Sequence, residues 1–178
     1  CLIWQRFETI RASTFRLTVT TPSAPQCASI LKRFRAFGAR VEVIDARTFN
    51  HGGTRRWASE QVGGDALIVM TQDAIPAAPD TFANLLDELQ QDPLNGVAYG
   101  RQLPHPDAGM LGAQSRHFNY PPHSRSKSLV DAPELGIKTC FSSDSFAVYR
   151  RSALHAVGGD QPGGRVCRRA LPGCAPTP

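Results

Sequence analysis

The chain of 178 residues is 41% hydrophobic and 20% charged, a composition that excludes a largely disordered protein and fits one folded domain. Its apolar runs are far shorter than the roughly 18 residues of a membrane-spanning helix. Five cysteines without a C-x-x-C pair encode neither a disulfide framework nor a zinc ribbon, so a reducing cytoplasm is the expected compartment. The net charge of +5 favours anionic partners, but the dispersed basic residues do not form the patch of a dedicated nucleic-acid domain.

The first part of the chain predicts a strand, a helix and a second strand. In Phe15–Thr20, apolar and polar residues alternate as they do on a half-buried strand. A helix is expected from Ser23, because Pro25 suits its first turn and Gly38 stands where a left-handed C-terminal cap belongs. The segment Arg40–Asp45 alternates again and predicts the second strand.

The middle of the chain predicts a buried strand between two helices. Residues 52–62 indicate a short helix, and the unbroken apolar run Ala66–Met70 is typical of a strand that is covered on both faces. A second helix is expected from Pro79 onward, followed by a strand over Gly96–Gly100. This alternation of strands and helices predicts an α/β domain.

The regular patterns end at residue 101. Residues 101–135 are rich in proline and show no sustained periodicity, so we expect an irregular binding segment or a lid. A strand over Ser145–Arg150 and a short helix over Arg151–Val157 follow. We expect one domain over residues 1–160 and a disordered tail over residues 161–178, where Gly, Pro, Arg and Cys dominate.

Six co-linear segments between residues 38 and 159 resemble the family 2 glycosyltransferases, and specifically their bacterial rhamnosyltransferase-like branch. In chain order, the segments are FNHGGTR (Phe49–Arg55), TQDAIP (Thr71–Pro76), YGRQLP (Tyr99–Pro104), RHFNYP (Arg116–Pro121), GIKTCFSSDSFAVYRR (Gly136–Arg151) and VGG (Val157–Gly159). Each segment alone is a weak signal, whereas six in the same order are a strong one.

This resemblance implies a fold and an activity. The implied fold is the GT-A fold, a Rossmann-type α/β sandwich with a mostly parallel central sheet flanked by helices, here incomplete at both termini. The implied activity is inverting transfer of a sugar, such as rhamnose, from a nucleotide-diphosphate-sugar donor to a cell-surface saccharide or lipid-linked saccharide acceptor. A divalent cation, Mg²⁺ or Mn²⁺, is the implied cofactor. We expect the protein to work in the cytoplasm, with peripheral association at the inner face of the membrane, and we expect no nucleic-acid partner.

Asp73 is the candidate metal ligand. It follows the buried strand at the carboxyl end, where open α/β sheets bind ligands, and a hard cation on a diphosphate needs one or two carboxylates. The resemblance places a D-x-D motif here, but Thr71 replaces its first acid, which weakens the expected hold on the metal. The alternative is that Asp73 caps a turn before Pro76.

The candidate nucleotide-sugar site consists of residues near the same strand end, namely His51, Gly52, Gly53, Arg55 and Gln72. Backbone amides at the two glycines could approach an anion, and Arg55 adds a charged donor one turn into the helix. The resemblance adds Gln72. The alternatives are that the glycines only permit a tight loop, that His51 is solvated, and that Arg55 pairs with Asp65 or Asp73.

The candidate acceptor site consists of polar and aromatic residues from the second half of the chain, namely Arg101, Asn119, Tyr120, Ser142 and Ser143. Sugars are bound by planar hydrogen-bonding groups together with aromatic surface, and this set offers both. The resemblance places donor-sugar and acceptor contacts at the serine pair. The alternatives are a loop that its own polar side chains hold in place and serines that only satisfy the loop backbone.

Two elements of the family are missing from the sequence. The acidic loop that binds base and ribose should precede the first helix, where the chain reads Thr20–Pro25 without an acid. The family draws its general base from an acidic pair after the V-G-G segment, yet Asp160 is the last acid of this chain and stands where the family has Phe. The catalytic base is therefore unassigned. We expect both ends to be abnormal, by truncation or by a frame shift, and an inactive chain is one expected outcome.

A glycosyltransferase of the hexosyltransferase type is thus the first interpretation. A non-catalytic module that binds a nucleotide sugar or a phosphate through Gly52, Gly53, Arg55 and Asp73 is the second. A basic nucleic-acid-binding domain is a third and weaker interpretation, because the sequence has no recognition motif for it. Hydrolysis of a nucleotide-sugar donor would separate the first two interpretations.

Overall fold

The computed structural model describes residues 16–20, 25–71, 74–143 and 145–157. The strands and helices follow one another along the chain as β1 (Arg16–Thr20), α1 (Pro25–Ala36), β2 (Arg40–Ile44), α2 (His51–Glu60), β3 (Ala66–Met70), α3 (Thr81–Gln91), β4 (Val97–Tyr99), α4 (Met110–Asn119), α5 (Ala132–Leu135), β5 (Phe146–Arg150) and α6 (Arg151–Ala156). Short 3₁₀ helices lie at Ala46–Thr48, Leu129–Asp131 and Gly136–Cys140. The predicted α/β class is confirmed, and so is the cap at Gly38, whose φ of 76° is left-handed.

The described strands pair in two groups. β1 and β2 run parallel, with Arg16 opposite Arg40 and Thr20 opposite Ile44. β3, β5 and β4 form a three-stranded sheet in that order, and β5 is antiparallel to both neighbours. The sheet therefore differs at β5 from the expected mostly parallel pairing. An apolar run predicts burial but not direction, and the long connection after β4 allows the chain to enter β5 from the same end of the sheet at which β4 finishes.

Helices cover the three-stranded sheet on both faces. On one face, α3 packs Leu89 against Ala98 and Val148, and Phe82 against Phe146. Leu89 and Phe82 are only 2% and 3% exposed, and burial of a side chain of this size contributes about 2 kcal/mol. The helix that the sequence predicts from Pro79 onward is therefore present, as Thr81–Gln91.

The other face is covered by α6 and by the end of the α2–β3 connection. Leu154 of α6 packs with Leu67, Ala147 and Tyr149, and Val62 lies against the same cluster. The side chains of β3 therefore meet apolar partners on both sides of the sheet, as its unbroken apolar run predicts.

Arg150, the last residue of β5, binds the carboxyl end of α3. Its guanidinium donates to the carbonyl oxygens of Leu89 (2.6 Å), Asp92 (3.1 Å) and Asn95 (2.9 Å). The last carbonyls of a helix have no partner within the helix, and a cation there satisfies them and offsets the helix dipole.

Arg151, the next residue, binds the carboxyl end of α2 in the same way. It donates to the carbonyl oxygens of Ser59 (2.9 Å) and Val62 (2.8 Å), and also to that of Gly64. Two consecutive arginines thus connect the end of one strand to two different helices.

The expectation of an irregular stretch over residues 101–135 is wrong, because this stretch contains α4, α5 and a 3₁₀ helix. None of the residues of α4 is buried, and its large apolar side chains Met110, Leu111 and Phe118 are 84%, 82% and 71% exposed. A helix without a core-facing side leaves no apolar periodicity in the sequence. Across the residues that the structure describes, no helix is long and apolar enough to cross a membrane.

Candidate functional site

The site lies where three strand ends meet at one edge of the sheet. Because β5 is antiparallel to its neighbours, its first residues stand beside the last residues of β3 and β4. The backbone N–H of Thr71 donates to the carbonyl of Ser145 (2.9 Å), and that of Gly100 donates to the carbonyl of Phe146 (3.1 Å). The segments that follow β3 and β4 and the segment that precedes β5 therefore begin side by side.

Gly100 is where the chain leaves the sheet, and space there is limited. A Cβ atom at this position would lie 3.0 Å from Cδ1 of Phe146. The Phe146 ring in turn packs edge-on against Phe82, with 4.9 Å between the ring centroids. A side chain at this position would therefore crowd the ring, and Phe146 would have to shift to make room for it.

A broad cavity of about 1480 Å³ opens at this edge, between α3 and the segment of residues 101–141. Four predicted acceptor residues line it, namely Arg101, Asn119, Tyr120 and Ser142. The volume exceeds that of the usual pocket for a small ligand, which is about 300–1,000 Å³. The cavity is therefore large enough for an oligosaccharide end or for a nucleotide sugar.

The fifth predicted acceptor residue, Ser143, connects two of the segments that form the cavity wall. Its side chain is 2% exposed. Its Oγ accepts a hydrogen bond from Nε2 of Gln102 (3.1 Å) and lies 3.1 Å from the hydroxyl of Tyr120. The Ser143 hydroxyl is thus engaged within the protein, and Tyr120 and Gln102 are the groups of this set that reach the cavity.

An aromatic group with a lysine stands beside this hydroxyl cluster. The Phe141 ring packs edge-on against Tyr99 and Tyr120, with centroid distances of 6.1 and 5.9 Å. The Nζ atom of Lys127 lies 5.3 Å from the Tyr99 ring centroid and 5.6 Å from that of Phe141. Neither Lys127 nor Phe141 was among the predicted site residues, because their contacts join positions far apart in a stretch without periodicity.

The remaining predicted acceptor residues are less tightly placed. Asn119 is exposed and its Nδ2 donates to the carbonyl of Ser115 (3.0 Å) on its own helix. Arg101 is exposed at the cavity wall, whereas Ser142 is buried, with 8% exposure. The structure therefore gathers the acceptor set around one cavity but gives its members different accessibility.

The predicted nucleotide-sugar residues of α2 lie apart from this cavity and do not line it. Asn50 caps the helix by accepting a hydrogen bond from the backbone N–H of Gly53 (2.9 Å), so that amide already has a partner. His51 is exposed and its ring contacts that of Phe49, while Gly52 and Arg55 are buried. The buried guanidinium is the most enclosed charged group of the predicted set.

Arg47 and Asp45 form an exposed ion pair in the segment before α2. Arg47 donates through its side chain and its backbone to Asp45, which holds the pKa of that carboxyl below its ordinary value and raises the pKa of Arg47. Because the carboxyl pKa is lower in the folded chain than in the unfolded chain, the pair stabilises the fold at pH values above the unfolded pKa. This stabilisation is lost as the pH falls through the folded pKa. Neither residue lines the cavity, so this pair does not alter its charge.

Several predicted positions lie outside the described residues. They are Gln72 and the predicted metal ligand Asp73, most of the Thr20–Pro25 loop and the tail over residues 161–178, together with Asp160, to which no role is assigned. Within the described part of the chain, no three His, Cys, Asp or Glu side chains cluster as a metal site would require. A cation bound mainly by a diphosphate needs only one or two carboxylates, so the role of Asp73 stays a prediction.

Comparison with known proteins gives one family and several relatives. The family model for glycosyl transferase family 2 matches residues 19–158. An O-antigen chain rhamnosyltransferase of Salmonella typhimurium is 46% identical over 133 residues, which are 74% of this chain and 40% of that protein. A second O-antigen chain rhamnosyltransferase, from Salmonella anatum, is 44% identical over 120 residues, which are 67% of this chain and 38% of that protein. The chain thus spans about two fifths of the length of these relatives.

Among solved structures, a mannosyltransferase of Pyrobaculum calidifontis, in complex with GDP-mannose and Mn²⁺, resembles this chain with a TM-score of 0.52 and 16% identity. The match covers 87% of this chain and 40% of that one. At this identity the likeness concerns the fold alone. It confirms the expected GT-A glycosyltransferase fold.

Proposed function

We infer the function from the premise that this chain belongs to glycosyl transferase family 2. We propose that the protein transfers a sugar from a nucleotide-diphosphate sugar to a saccharide acceptor in the synthesis of a cell-surface polysaccharide, with inversion at the transferred carbon. The described residues would then supply the sheet edge and the acceptor wall of the catalytic domain. Rhamnose is the first donor sugar to test and an O-antigen saccharide the first acceptor, because both curated relatives carry the name of O-antigen chain rhamnosyltransferases.

The observation that carries this proposal is the meeting of three strand ends beside a large cavity. Ligands of open α/β sheets bind beyond the carboxyl ends of the strands, and here the ends of β3 and β4 meet the start of β5. The wall next to this edge offers the hydroxyl of Tyr120, the amide of Gln102 and an exposed part of the Phe141 ring, which is 38% exposed. Hydroxyls and amides that stand beside aromatic surface suit a saccharide, which has both polar groups and apolar C–H faces.

On the donor side, we propose that Asp73 and Gln72 follow β3 into the nucleotide-sugar site and that Asp73 binds Mg²⁺ or Mn²⁺. A divalent cation there would offset the negative charge that develops on the leaving diphosphate. The buried Arg55 fits the same purpose as a fixed positive charge, with Gly52 and Gly53 allowing close approach. His51 is exposed at the start of this helix and would contact the donor from its surface.

On the acceptor side, we propose different roles for the five residues. Tyr120 and Arg101 face the cavity and would contact the saccharide directly, whereas the enclosed Ser143 would orient Tyr120. Asn119 would have to give up its bond to Ser115 in order to bind a sugar, and Ser142 would act from its buried place in the wall. A lipid-linked acceptor would bring the protein to the inner face of the membrane. The general base is not assigned to any of the described residues.

Thermal melting and donor turnover test this proposal together. The chain is melted with MgCl₂ or MnCl₂ and with UDP, GDP or dTDP, and then incubated with the corresponding nucleotide sugars and a panel of methyl glycosides. We expect one nucleotide diphosphate to raise Tm by about 5 °C in the presence of the metal, and its sugar to be hydrolysed or transferred.

Asp73→Asn is the matched control, because it removes the carboxylate charge and keeps the size of the side chain. It should abolish the metal-dependent part of the Tm rise. A Tm rise without any turnover would favour the second interpretation, a non-catalytic nucleotide-sugar-binding module, over the transferase. No Tm rise with any of the nucleotides would overturn both functions.

A further inference from the structure

Lys127 contacts two separate segments of the cavity wall. Its half-buried side chain donates from Nζ to the carbonyl oxygens of Lys138 (2.9 Å) and Phe141 (2.6 Å), at the end of the 3₁₀ helix Gly136–Cys140. The same Nζ lies above the rings of Tyr99, at the end of β4, and of Phe141. Charged donors to carbonyls make stronger hydrogen bonds than neutral ones, and two aromatic faces add cation–π attraction.

These contacts fix the position of the Phe141 ring and, through it, of Tyr120. Phe141 is joined to Lys127 by its carbonyl and by its ring, and the edge of the ring meets Tyr120. The hydroxyl of Tyr120 also lies 3.1 Å from that of Ser143. If the ammonium group were removed, the end of the 3₁₀ helix would lose two hydrogen bonds and Phe141 would lose its charged neighbour. The Tyr120 ring would then have a larger range of orientations.

We propose that Lys127 is a positioning residue, which holds Phe141 against Tyr120 and thereby sets the saccharide-facing wall of the cavity. This inference rests on the proposed function for the identity of the ligand, but its geometric part can be tested without it. If Lys127 has this role, removal of its ammonium group should weaken the binding of the saccharide acceptor and leave the binding of the nucleotide unchanged. The predicted nucleotide residues of α2 do not line the cavity and have no contact with this group among the interactions described above.

The chain contains three tyrosines, which makes fluorine NMR of 3-fluorotyrosine-labelled protein a direct test. Tyr99 lies under the ammonium group of Lys127 and Tyr120 packs against Phe141, whereas Tyr149 lies in the sheet core with 3% exposure. Tyr99 packs against the cluster that contains Tyr149, so the Tyr149 signal also shows whether a change spreads into the core. Lys127→Met keeps most of the side-chain stem and removes the charge and the donors. We expect it to shift the Tyr99 and Tyr120 signals and to leave the Tyr149 signal in place.

Lys138→Met is the matched control. The Nζ of Lys138 also lies over an aromatic ring, at 4.1 Å from the centroid of Phe118, but that ring belongs to the exposed side of α4. This substitution should leave all three tyrosine signals unchanged. Lys127→Arg keeps the charge and the N–H donors and should restore the Tyr120 signal toward its original position. An unchanged Tyr120 signal in Lys127→Met, or the same shift in Lys127→Arg, would overturn the proposal.

Binding is then measured by titrating the labelled chain with methyl α-L-rhamnoside and other methyl glycosides, and separately with the nucleotide diphosphate that raises Tm. We expect Lys127→Met to weaken the saccharide Kd about tenfold and to leave the nucleotide Kd unchanged, a split that a general loss of stability would not produce. Equal weakening of both ligands would overturn the positioning role. A last outcome is that the nucleotide binds the unsubstituted chain but no saccharide moves its Tyr120 signal. In that case the saccharide-binding part of both proposals is wrong, whatever the effect of Lys127→Met on the tyrosine signals.

Discussion

The sheet core and the cavity wall are held together by different kinds of interaction. In the core, Ala147 and Val148 are completely buried, and α3 adds Leu89 and Phe82 to the same apolar interior. In the wall, Lys127 and Ser143 connect segments through hydrogen bonds and aromatic edges, while α4 buries none of its side chains. Polar contacts at a partly exposed surface open at lower free energy than a packed core. The molecule thus combines an apolar scaffold with a wall that depends on a few polar and aromatic contacts.

The largest expected effect is a difference in the free energy of unfolding between two leucine variants, one in the core and one in the wall. Leu89→Ala should lower the free energy of unfolding by about 3 kcal/mol, because the side chain is 2% exposed and its removal leaves a cavity. Leu111→Ala, the same change on α4, should cost less than about 0.5 kcal/mol, because that side chain is 82% exposed. Urea denaturation measures both. Similar losses in the two variants would mean that α4 packs against a core of its own.

The second effect concerns the connection between β5 and α3. Arg150→Met should cost about 2 kcal/mol, because it leaves the carbonyl oxygens of Leu89, Asp92 and Asn95 without their charged donor. The control is Arg56→Met, which breaks only the exposed pair with Glu60 and should cost less than about 0.5 kcal/mol.

Amide hydrogen exchange locates the loss. In Arg150→Met the last turn of α3 should exchange faster, since that turn loses its cap. Unchanged exchange there would show that the guanidinium contributes nothing to the end of this helix.

The smallest effect is expected at the junction of the two regions. Gly100→Ala places a Cβ atom 3.0 Å from the Phe146 ring and should cost about 1 kcal/mol, because that ring is packed against Phe82. Gly112→Ala, within α4, meets open space and should instead stabilise the chain by about 0.5–1 kcal/mol, since alanine is the better helix former. Thermal melting should therefore show a lower Tm for Gly100→Ala and a higher Tm for Gly112→Ala, which would confirm the contrast between core and wall. A stabilising Gly100→Ala would show that Phe146 has room to move.

The sequence predicts the scaffold better than the wall, and the reason is physical. The buried runs of β3 and the helical spacing of α3 are local patterns created by burial, and both elements are found where those patterns lie. The direction of β5 depends on the length of a connection, and α4 has no buried face, so neither leaves a local pattern. Family resemblance supplied what periodicity could not, namely the fold and the class of chemistry.

The same reasoning explains which parts of the candidate site were found. The residues predicted to bind the acceptor come from segments that resemble a family, and four of the five line one cavity. Their role in binding an acceptor stays a prediction. The contacts of Lys127 with residues 138 and 141 span 11 and 14 positions and involve backbone carbonyls, which any residue type provides. No pattern of side chains could reveal them, and the roles of the residues near β3 stay predictions.

The two arginines at the end of β5 constrain how the site is able to move. Arg150 holds one helix and Arg151 holds another, so a shift of β5 along its own axis would break both sets of bonds at once. The site lies at the opposite end of this strand, which spans roughly 17 Å for its five residues. Both sets of bonds therefore oppose a slide of β5 along its axis. Lengthening β5 by a single inserted residue would destroy this arrangement more completely than any substitution at the site itself, because it would exchange the two faces of the strand.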